Sequence, residues 1–570
     1  MSRPSALRPP GLGPIIGHTT AHSCRLWIQA ADLDGGPGGA AADRRSVGII
    51  GLLSKSGRKV EKAYYFRLPR EFDRSGTFEL GMDVALGEHA NDGLPEAQQD
   101  TPVQLAADSS YTVRMATLTV DDPAADAESL NDVELSKRLP PIRNMAPLLL
   151  DLPAEACEAT FRTFPDGDQS ANNLSFLLGS CRYPGWLWKV KEADRIFAPM
   201  REQLEQGDAA PRFTLMVGDQ IYGDTLNRFV PIGRADTYEE FQERYTTAFG
   251  SPNMRQMLRT APTYMILDDH EIEDNWSQDR IRDQAKHRLF NVAIGAYMSY
   301  QWSHGPRSFG RRLYYQFDCA GYPFFVLDTR TQRQKDDVEE SLADNHLLGY
   351  PKIDPAHRGQ VEELLTWLTS MQQARGNTPK FIATSSVFAP NAMNERIDRA
   401  GASIEDTLFG SNRERRLGSD SWPAYPNTKR AIVEHMVGVG IQNVVFLSGD
   451  IHCSNIAELQ FEPNPHGLRA YDVTSSAFYW PFPFADGDPN GYVHDSQDPA
   501  QRDLFPFLGG QMHYRAWGFT QEDNFCRVEI DKAAHTLAVR YFDRKGQPIW
   551  VSDPQGAFSD VHTLALAPWA

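Results

Sequence analysis

Cysteine is scarce and scattered. Six residues (Cys24, Cys157, Cys181, Cys319, Cys453 and Cys526) are spread over 570 positions without a CxxC pair, a pattern that fits neither a disulfide-stapled scaffold nor a zinc finger and favours a reducing, cytoplasmic setting. Long apolar runs are missing too. None approaches the roughly 18 to 20 residues of a membrane span, and the basic start Met1 to Pro10 has no apolar stretch behind it of the kind a secretory leader carries. Positive charge is in deficit: 57 Lys and Arg face 75 Asp and Glu, for a net charge of -18. That balance argues against nucleic acid or an anionic membrane as a partner. A small anionic substrate would need local positive charge, from arginine or a metal ion.

The length predicts roughly two to four domains, each able to bury its own core. From Pro14 to about Phe164 the chain reads as short strands separated by turns: Arg25–Ala30, Val47–Leu53, Ala63–Leu68, Thr77–Val84 and Tyr111–Val120. That spacing predicts an all-β sandwich of immunoglobulin type over residues 1–165, with the Gly/Ala-rich stretch Gly35–Ala42 as a mobile loop between strands. Pro165–Ser170 has linker composition.

Beyond it the period changes. Helical patterns over Trp186–Gln206 and from Thr237, Ser277, Pro355 and Thr428 alternate with apolar runs at Phe324–Leu327, Phe381–Thr384 and Asn443–Leu447. Residues 166–570 therefore read as an α/β domain, helices on a mainly parallel sheet. A half-exposed antiparallel hairpin, Phe525–Ile530 and Thr536–Tyr541, closes it, and Asp328–Tyr350 and Trp480–Gln511 read as long connections.

Four apolar runs end in potential ligands. Phe176–Gly179 ends in Ser180-Cys181; Phe213–Gly218 in Asp219, with Tyr222 three residues on; Thr263–Leu267 in Asp268-Asp269-His270-Glu271; and Val444–Gly449 in Asp450-Ile451-His452. Short apolar runs that stop at such a turn suit buried parallel strands, and ligands of α/β sheets collect outside the carboxyl ends of those strands. Taken one at a time the acids are ordinary helix caps and the cysteine ordinary packing. Taken together they resist that explanation, because packing gives no reason for successive strands all to finish in oxygen, nitrogen or sulfur donors. A metal cluster requires it.

The donor types indicate which ions. Carboxylate from Asp219 and phenolate from Tyr222 favour Fe3+, and Cys181 and His452 would add thiolate and imidazole. Asp268, Asp269 and Asp450 form an oxygen-rich neighbour suited to Ca2+, Mg2+ or Mn2+. His270 is placed to protonate a leaving oxygen or orient a nucleophile, or to serve as an outer partner of Asp219 or Asp450. Arg330, just past the run that ends at Leu327-Asp328, could clamp phosphate oxygens or form a salt bridge to Asp328 or a neighbour; Arg182 and Arg333 are further candidates. His435 lies in a helical pattern and reads as packing. The aromatic stretch Trp480–Phe484 reads as a loop anchor or a lid, and Ser475 and Ser476 lack a Gly-x-Ser-x-Gly setting.

These motifs carry a resemblance. Gly218-Asp219-Gln220-Ile221-Tyr222 is similar to the Gly-Asp-x-x-Tyr motif of the calcineurin-like metallophosphoesterases. The set Ser180-Cys181, Asp268-Asp269-His270-Glu271 followed by Asn275-Trp276, Leu327-Asp328-x-Arg330 and Ser448-Gly449-Asp450-x-His452 resembles the alkaline phosphatase D (PhoD-like) family. The resemblance implies a metallophosphatase-like β-sheet core with flanking helices behind an N-terminal β domain. It also implies hydrolysis of a small phosphorylated substrate, monoester or diester. In that family Cys181, Asp219, Tyr222 and His452 would hold Fe3+, and Asp219, Asp268, Asp269, Asp450 and Asn275 would hold Ca2+. Two features depart from the pattern: Arg182 stands where glutamine is common, and no twin-arginine export signal is present. A metallohydrolase of another ester or anhydride, and a non-catalytic binding protein on the same fold, are the competing readings.

Overall fold

The computed structural model describes residues 7–31, 44–81, 103–121, 132–167, 173–185, 190–224, 233–308, 312–335, 345–349, 359–391, 421–481, 495–499 and 504–570. The Gly/Ala-rich stretch at 35–42, the end of the linker at 168–170, the helical pattern's start at 186–189, Phe482–Phe484 and the middles of the two long connections lie outside these residues.

Seven strands build the N-terminal region: β1 (Leu12–Thr19), β2 (Ser23–Gln29), β3 (Arg44–Leu53), β4 (Val60–Arg67), β5 (Ser75–Gly81), β6 (Ser110–Asp121) and β7 (Glu158–Arg162). They form two antiparallel sheets, β1-β2-β5 and β4-β3-β6-β7. Alternating side chains from both, among them Leu26, Ile28 and Phe78 from one and Ile50, Phe66, Met115 and Phe161 from the other, make the core between them. The predicted sandwich is therefore present. Its fourth strand β4 pairs with β3 rather than with β5, unlike the constant-type immunoglobulin arrangement. The sandwich leans on the rest of the chain through buried groups: Trp27 donates its indole N–H to the Ser299 carbonyl (2.9 Å), and the Ile16 amide donates to the Leu258 carbonyl (2.9 Å).

The larger body contains β8 (Leu174–Gly179), β9 (Thr214–Met216), β10 (Thr263–Met265), β11 (Tyr315–Cys319), β12 (Tyr322–Val326), β13 (Lys380–Ala383), β14 (Val444–Ser448), β15 (Ser454–Glu462), β16 (Ala470–Thr474), β17 (Phe505–Phe507), β18 (Gly510–Thr520), β19 (Asn524–Asp531), β20 (Thr536–Asp543), a short pair β21 (Val551–Ser552) and β22 (Phe558–Ser559), and β23 (His562–Ala565). One sheet runs β10-β9-β8-β19-β20-β23 and the other β11-β12-β13-β14-β16-β15-β18-β17. Period-2 alternation explains how they meet. Phe176, Phe213, Phe324, Phe381 and Val445 face each other between the sheets, with Phe213 edge-on to Phe324 at 5.3 Å. Their chain neighbours Leu177, Met216 and Met265, or Phe325, Ile382 and Phe446, turn outward.

Helices cover those outer faces. Phe197–Leu204, Tyr238–Phe249, Pro252–Met257 and Gln284–Tyr300 lie over the first sheet, and Gln360–Arg375 and Pro426–Val439 over the second. The helix Tyr238–Phe249 starts at a capping box of Thr237 and Glu240, and Pro426–Val439 stops at Gly440 in the left-handed region (φ 78°).

The α/β expectation thus holds as four layers, helix, sheet, sheet, helix. The sheets are parallel through β8, β9 and β10 in one and through β12, β13, β14 and β16 in the other; helices connect these strands except β14 and β16, which β15 joins. The remaining pairs are antiparallel, including the long β15 and β18 pairing and the expected β19 and β20 hairpin. Within the expected connection Trp480–Gln511, Phe505–Phe507 pair as β17. No helix among the described residues is long and apolar enough to cross a membrane.

Candidate metal centre

All four donor-bearing runs end at the same place, in loops beyond the carboxyl ends of β8, β9, β10 and β14. Two glycines let the loops approach. A Cβ on Gly218 (φ 109°) would fall 2.5 Å from the Asp268 Cβ, and one on Gly449 would fall 2.5 Å from the Ser180 hydroxyl. Backbone strain marks the same spot: Cys181, Asp219, Asn275, Asp450 and His452 all have left-handed φ between 51° and 72°, a conformation uncommon in non-glycine residues and concentrated at functional sites.

The donors converge in two overlapping groups around Asp219. Cys181, Asp219 and His452 offer ligand atoms within 4.8 Å of one another, as do Asp219, Asp268, Asp269 and Asp450. The Tyr222 hydroxyl donates to Asp219 Oδ2 at 3.3 Å and lies 3.3 Å from His452 Nε2, which puts it in the first group. Asn275 reaches the second through its backbone, whose N–H donates to Asp269 Oδ2 at 2.6 Å.

His270 joins Asp219 and Asp269 in a third set, but its fixed partner is Asp224, 2.7 Å from Nδ1. The same carboxylate accepts the Asp274 amide at 2.8 Å. Arg330 is fully buried and bonds among the acids: Nε donates to Asp268 Oδ1, while Nη2 lies 3.5 Å from Asp269 and 3.7 Å from Asp450. Its backbone N–H donates to Asp328 Oδ1 (3.1 Å).

The electrostatics are those of a site built around cations. Four carboxylates face one guanidinium and the imidazoles of His270 and His452. Burial raises the Asp219 carboxyl well above its ordinary range. Burial, then Asp219 and the neighbouring acids, does the same to the Cys181 thiol and the Tyr222 phenol. Burial depresses the His452 imidazole to about 3, and the positive charge of His270 adds to the effect. Burial also works against a charged His270, yet Asp224, Asp269 and Asp219 outweigh it and hold that imidazole well above its usual value.

Asp219 Oδ1 is buried and accepts no hydrogen bond among the described residues, an orphan that a cation would satisfy. Thiolate, phenolate, imidazole and carboxylate on one side and four carboxylates on the other fit a trivalent and a divalent ion.

Residues that the sequence reading passed over support these donors. Glu271, fully buried, accepts the amides of Asp268 (2.9 Å), Asp219 (3.2 Å) and Gln220 (2.8 Å) and the side chain of Gln301 (3.1 Å). It pins two ligand loops together. Ser476 accepts the His452 amide (3.0 Å) and donates to the Cys181 sulfur (3.2 Å), so this serine braces ligands. The Trp480 ring lies flat on His452, centroids 3.6 Å apart. Glu271 falls inside a motif already singled out, and Asp224 lies two residues past another. Their signal was an acid at a fully buried turn, which sequence alone does not separate from a surface cap.

The weaker candidates lie elsewhere. Arg182 turns to Ser251 and the Phe197 ring, and Arg333 to the Thr329 carbonyl, Ser386 and Tyr425. His435 bonds Thr369 between two helices, and Ser475 bonds the Leu178 carbonyl.

Comparison with known proteins agrees with this architecture. The family model for PhoD-like phosphatases matches residues 176–482. Alkaline phosphatase D of Bacillus subtilis (strain 168) is 23% identical over 264 residues, which are 43% of this chain and 42% of that protein, so the match spans about two fifths of the relative's length. The solved structure titled "Structure of PhoD" superposes with a TM-score of 0.62 at 16% identity, covering 99% of this chain and 94% of the other, a likeness of fold. With the family model spanning more than half of its length and the donors converging at the strand ends, the chain belongs to the PhoD-like phosphatase family.

Proposed function

We propose that this protein hydrolyses phosphate esters, monoesters or diesters, at a centre holding Fe3+ through Cys181, Asp219, Tyr222 and His452. A second ion, Ca2+ with Mg2+ or Mn2+ as alternatives, is held through Asp219, Asp268, Asp269 and Asp450 with Asn275 beside them. The carrying observation is the overlap of the two donor groups at Asp219. One carboxylate with two oxygens, one of them unbonded, is suited to lie between two cations. The family match supports phosphate as the group transferred. Residues 1–165 are proposed as a supporting β domain and 166–570 as the catalytic one.

Ions in such a site supply a Lewis acid and lower the pKa of water toward neutrality. The chain supplies the rest. Asp224 takes the Nδ1 side of His270, which leaves Nε2 as the atom that carries a proton to a leaving oxygen. Arg330, anchored on Asp268, holds its Nη2 3.5 Å from Asp269 and 3.7 Å from Asp450, within the acid cluster, where a guanidinium fork would bind phosphoryl oxygens. Burial excludes bulk water from both groups and strengthens every charge interaction in the site.

Elemental analysis and a visible spectrum of the purified protein, with turnover of a chromogenic monoester and diester at alkaline pH, test the proposal. Iron, a second ion and a tyrosinate charge-transfer colour that disappears in Tyr222→Phe are expected. Loss of hydrolysis in Asp450→Ala is expected as well. Iron at full loading without the colour would remove Tyr222 from the ligand set, and undiminished hydrolysis in Asp450→Ala would end the proposed role of that acid.

A further inference from the structure

Three cations converge on one buried carboxylate next to the metal centre. Glu273 is fully buried. Arg234 Nη1 lies 3.4 Å from its Oε1, Arg280 Nη1 3.5 Å from its Oε2, and Lys286 Nζ donates to both oxygens. One negative charge is set against three positive ones, in a chain whose overall balance is -18. Among the described residues, neither Arg234 nor Lys286 has a second acidic partner. Helix stability does not explain Lys286. It sits in the first turn of the helix Gln284–Tyr300, whose N-terminal end disfavours a cation.

The cluster is tied to the reacting groups by short links. The Glu273 amide donates to the Asp269 carbonyl (2.6 Å), the Asp274 amide to Asp224 (2.8 Å), and Arg280 to the Asp274 carbonyl (3.1 Å). Beside Arg234, the Ala235 amide donates to the Gly223 carbonyl (2.6 Å), and the Gly223 amide to the His270 carbonyl (2.8 Å). Hydrogen bonds thus tie the cluster to the loops that carry the acid pair and His270, and the Arg234 and Lys286 side chains keep 30% of their surface exposed.

We infer that Arg234, Arg280 and Lys286 form an anion subsite for a second phosphate of the substrate. The substrate class is then a small molecule carrying two or more phosphate groups, one cleaved at the metal centre and another held here. Glu273 holds the three long side chains in register before ligand arrives, so their ordering entropy is lost on folding rather than on binding. Two positive charges remain for a phosphate, which guanidinium and ammonium groups bind through charge-assisted hydrogen bonds. The inference rests on the phosphoester reading of the neighbouring centre, and its test separates the two.

In the full-length protein, Arg234→Gln and Lys286→Gln are compared with the unsubstituted chain on a nucleoside diphosphate and on p-nitrophenyl phosphate. The ratio of the two kcat/KM values should fall roughly tenfold in each variant, through KM for the diphosphate, as expected for one charge-assisted contact. Lys286→Arg should restore most of it. Calorimetry with inorganic tripolyphosphate and with orthophosphate reads the subsite without turnover: tripolyphosphate should bind more tightly, and the variants should lose that difference. A fall in both substrates alike would make the cluster structural and overturn the inference. So would tripolyphosphate that binds no better than orthophosphate, or variants that leave the ratio and the binding difference unmoved. If no ester is hydrolysed but the tripolyphosphate preference is present and lost in the variants, the subsite stands and the hydrolase reading fails.

Discussion

Gly218→Ala is the sharpest test of how the centre is assembled. Gly218 has φ 109°, outside the left-handed well that Asn or Asp can occupy, and a Cβ there would lie 2.5 Å from Asp268 Cβ and 3.1 Å from its Cγ. Two costs add. The backbone term is about 1 to 3 kcal/mol. The steric term is about 1 to 3 kcal/mol, because the gap must open by roughly 1 Å to reach an ordinary carbon contact of about 3.5 Å. Gly207 provides the control. It too has positive φ (69°), but a Cβ there meets nothing within 4 Å, so Gly207→Ala carries at most the backbone term. Opening the contact displaces Asp268 from Arg330 and from its neighbours Asp219 and Asp269. A displacement near 1 Å costs on the order of 100-fold in rate. Chemical denaturation, metal content and ester turnover of both variants are the assays. Gly218→Ala should lose about 2 to 6 kcal/mol in all, together with bound ion and activity, while Gly207→Ala keeps its ions. Equal stability losses in the two variants, with full ion content in both, would refute the claim that close approach of these loops builds the site.

Glu271→Gln replaces one of two acceptor oxygens with a donor, so two of the four N–H groups now bonded to it lose their partner. Either the Gln220 amide or the amides of Asp268 and Asp219, according to which oxygen becomes the NH2 group, should exchange with solvent deuterium at least about tenfold faster, since each lost buried bond is worth on the order of 1 kcal/mol or more; unchanged protection of all three would show that the loops do not depend on it. Asp472 predicts a pH dependence. Burial pushes its carboxyl up to about 6, against the amides of Ala389 and Phe388, the Ser448 hydroxyl and Lys429, which pull the other way. The folded chain therefore holds a proton that the unfolded chain has released between about pH 4 and 6, and stability falls as pH rises through that window, by about 3 kcal/mol in all. Asp472→Asn should remove this slope, and equal slopes in parallel denaturation series at pH 4 and 6 would contradict it.

How much of this was legible in the sequence depended on whether the signal was local. The runs ending in Cys181, Asp219, Asp268 and Asp450 were visible because a buried strand and its terminal turn are both written in consecutive residues. So was the sandwich, through five of its seven strands; β1, β7 and the pairing of β4 were not. The split into two facing sheets was not visible. β19 pairs with β8 across about 350 positions of chain, and no local period distinguishes that from a closing hairpin. The roles of Glu271, Asp224 and Ser476 were hidden for a related reason: each acts through backbone or side-chain groups brought by another loop. The proposed phosphate clamp at Arg330 shows the same limit. The strand tip was right, but its guanidinium bonds to Asp268, on a loop 62 residues earlier.

The strain at the strand tips connects these observations. Cys181, Asp219, Asp450 and His452 are four non-glycine residues held at positive φ, each at a cost of about 1 kcal/mol or more. Two of them, Asp219 and Asp450, sit with Asp268 and Asp269, acids whose mutual repulsion at about 4 Å is roughly 4 kcal/mol per pair at an effective dielectric of 20. Nothing in the packing of two aromatic-rich sheets requires that arrangement, since the same strands could end in glycine and asparagine at lower cost. A group that binds only the folded chain stabilises it in proportion to the logarithm of its concentration over its dissociation constant. The strained, acid-rich loops are then the part of the fold that cations would complete. The two sheets beneath hold their shape through Phe176, Phe213, Phe324 and Phe381, so removing ions should loosen the tips first and leave the sheet core in place.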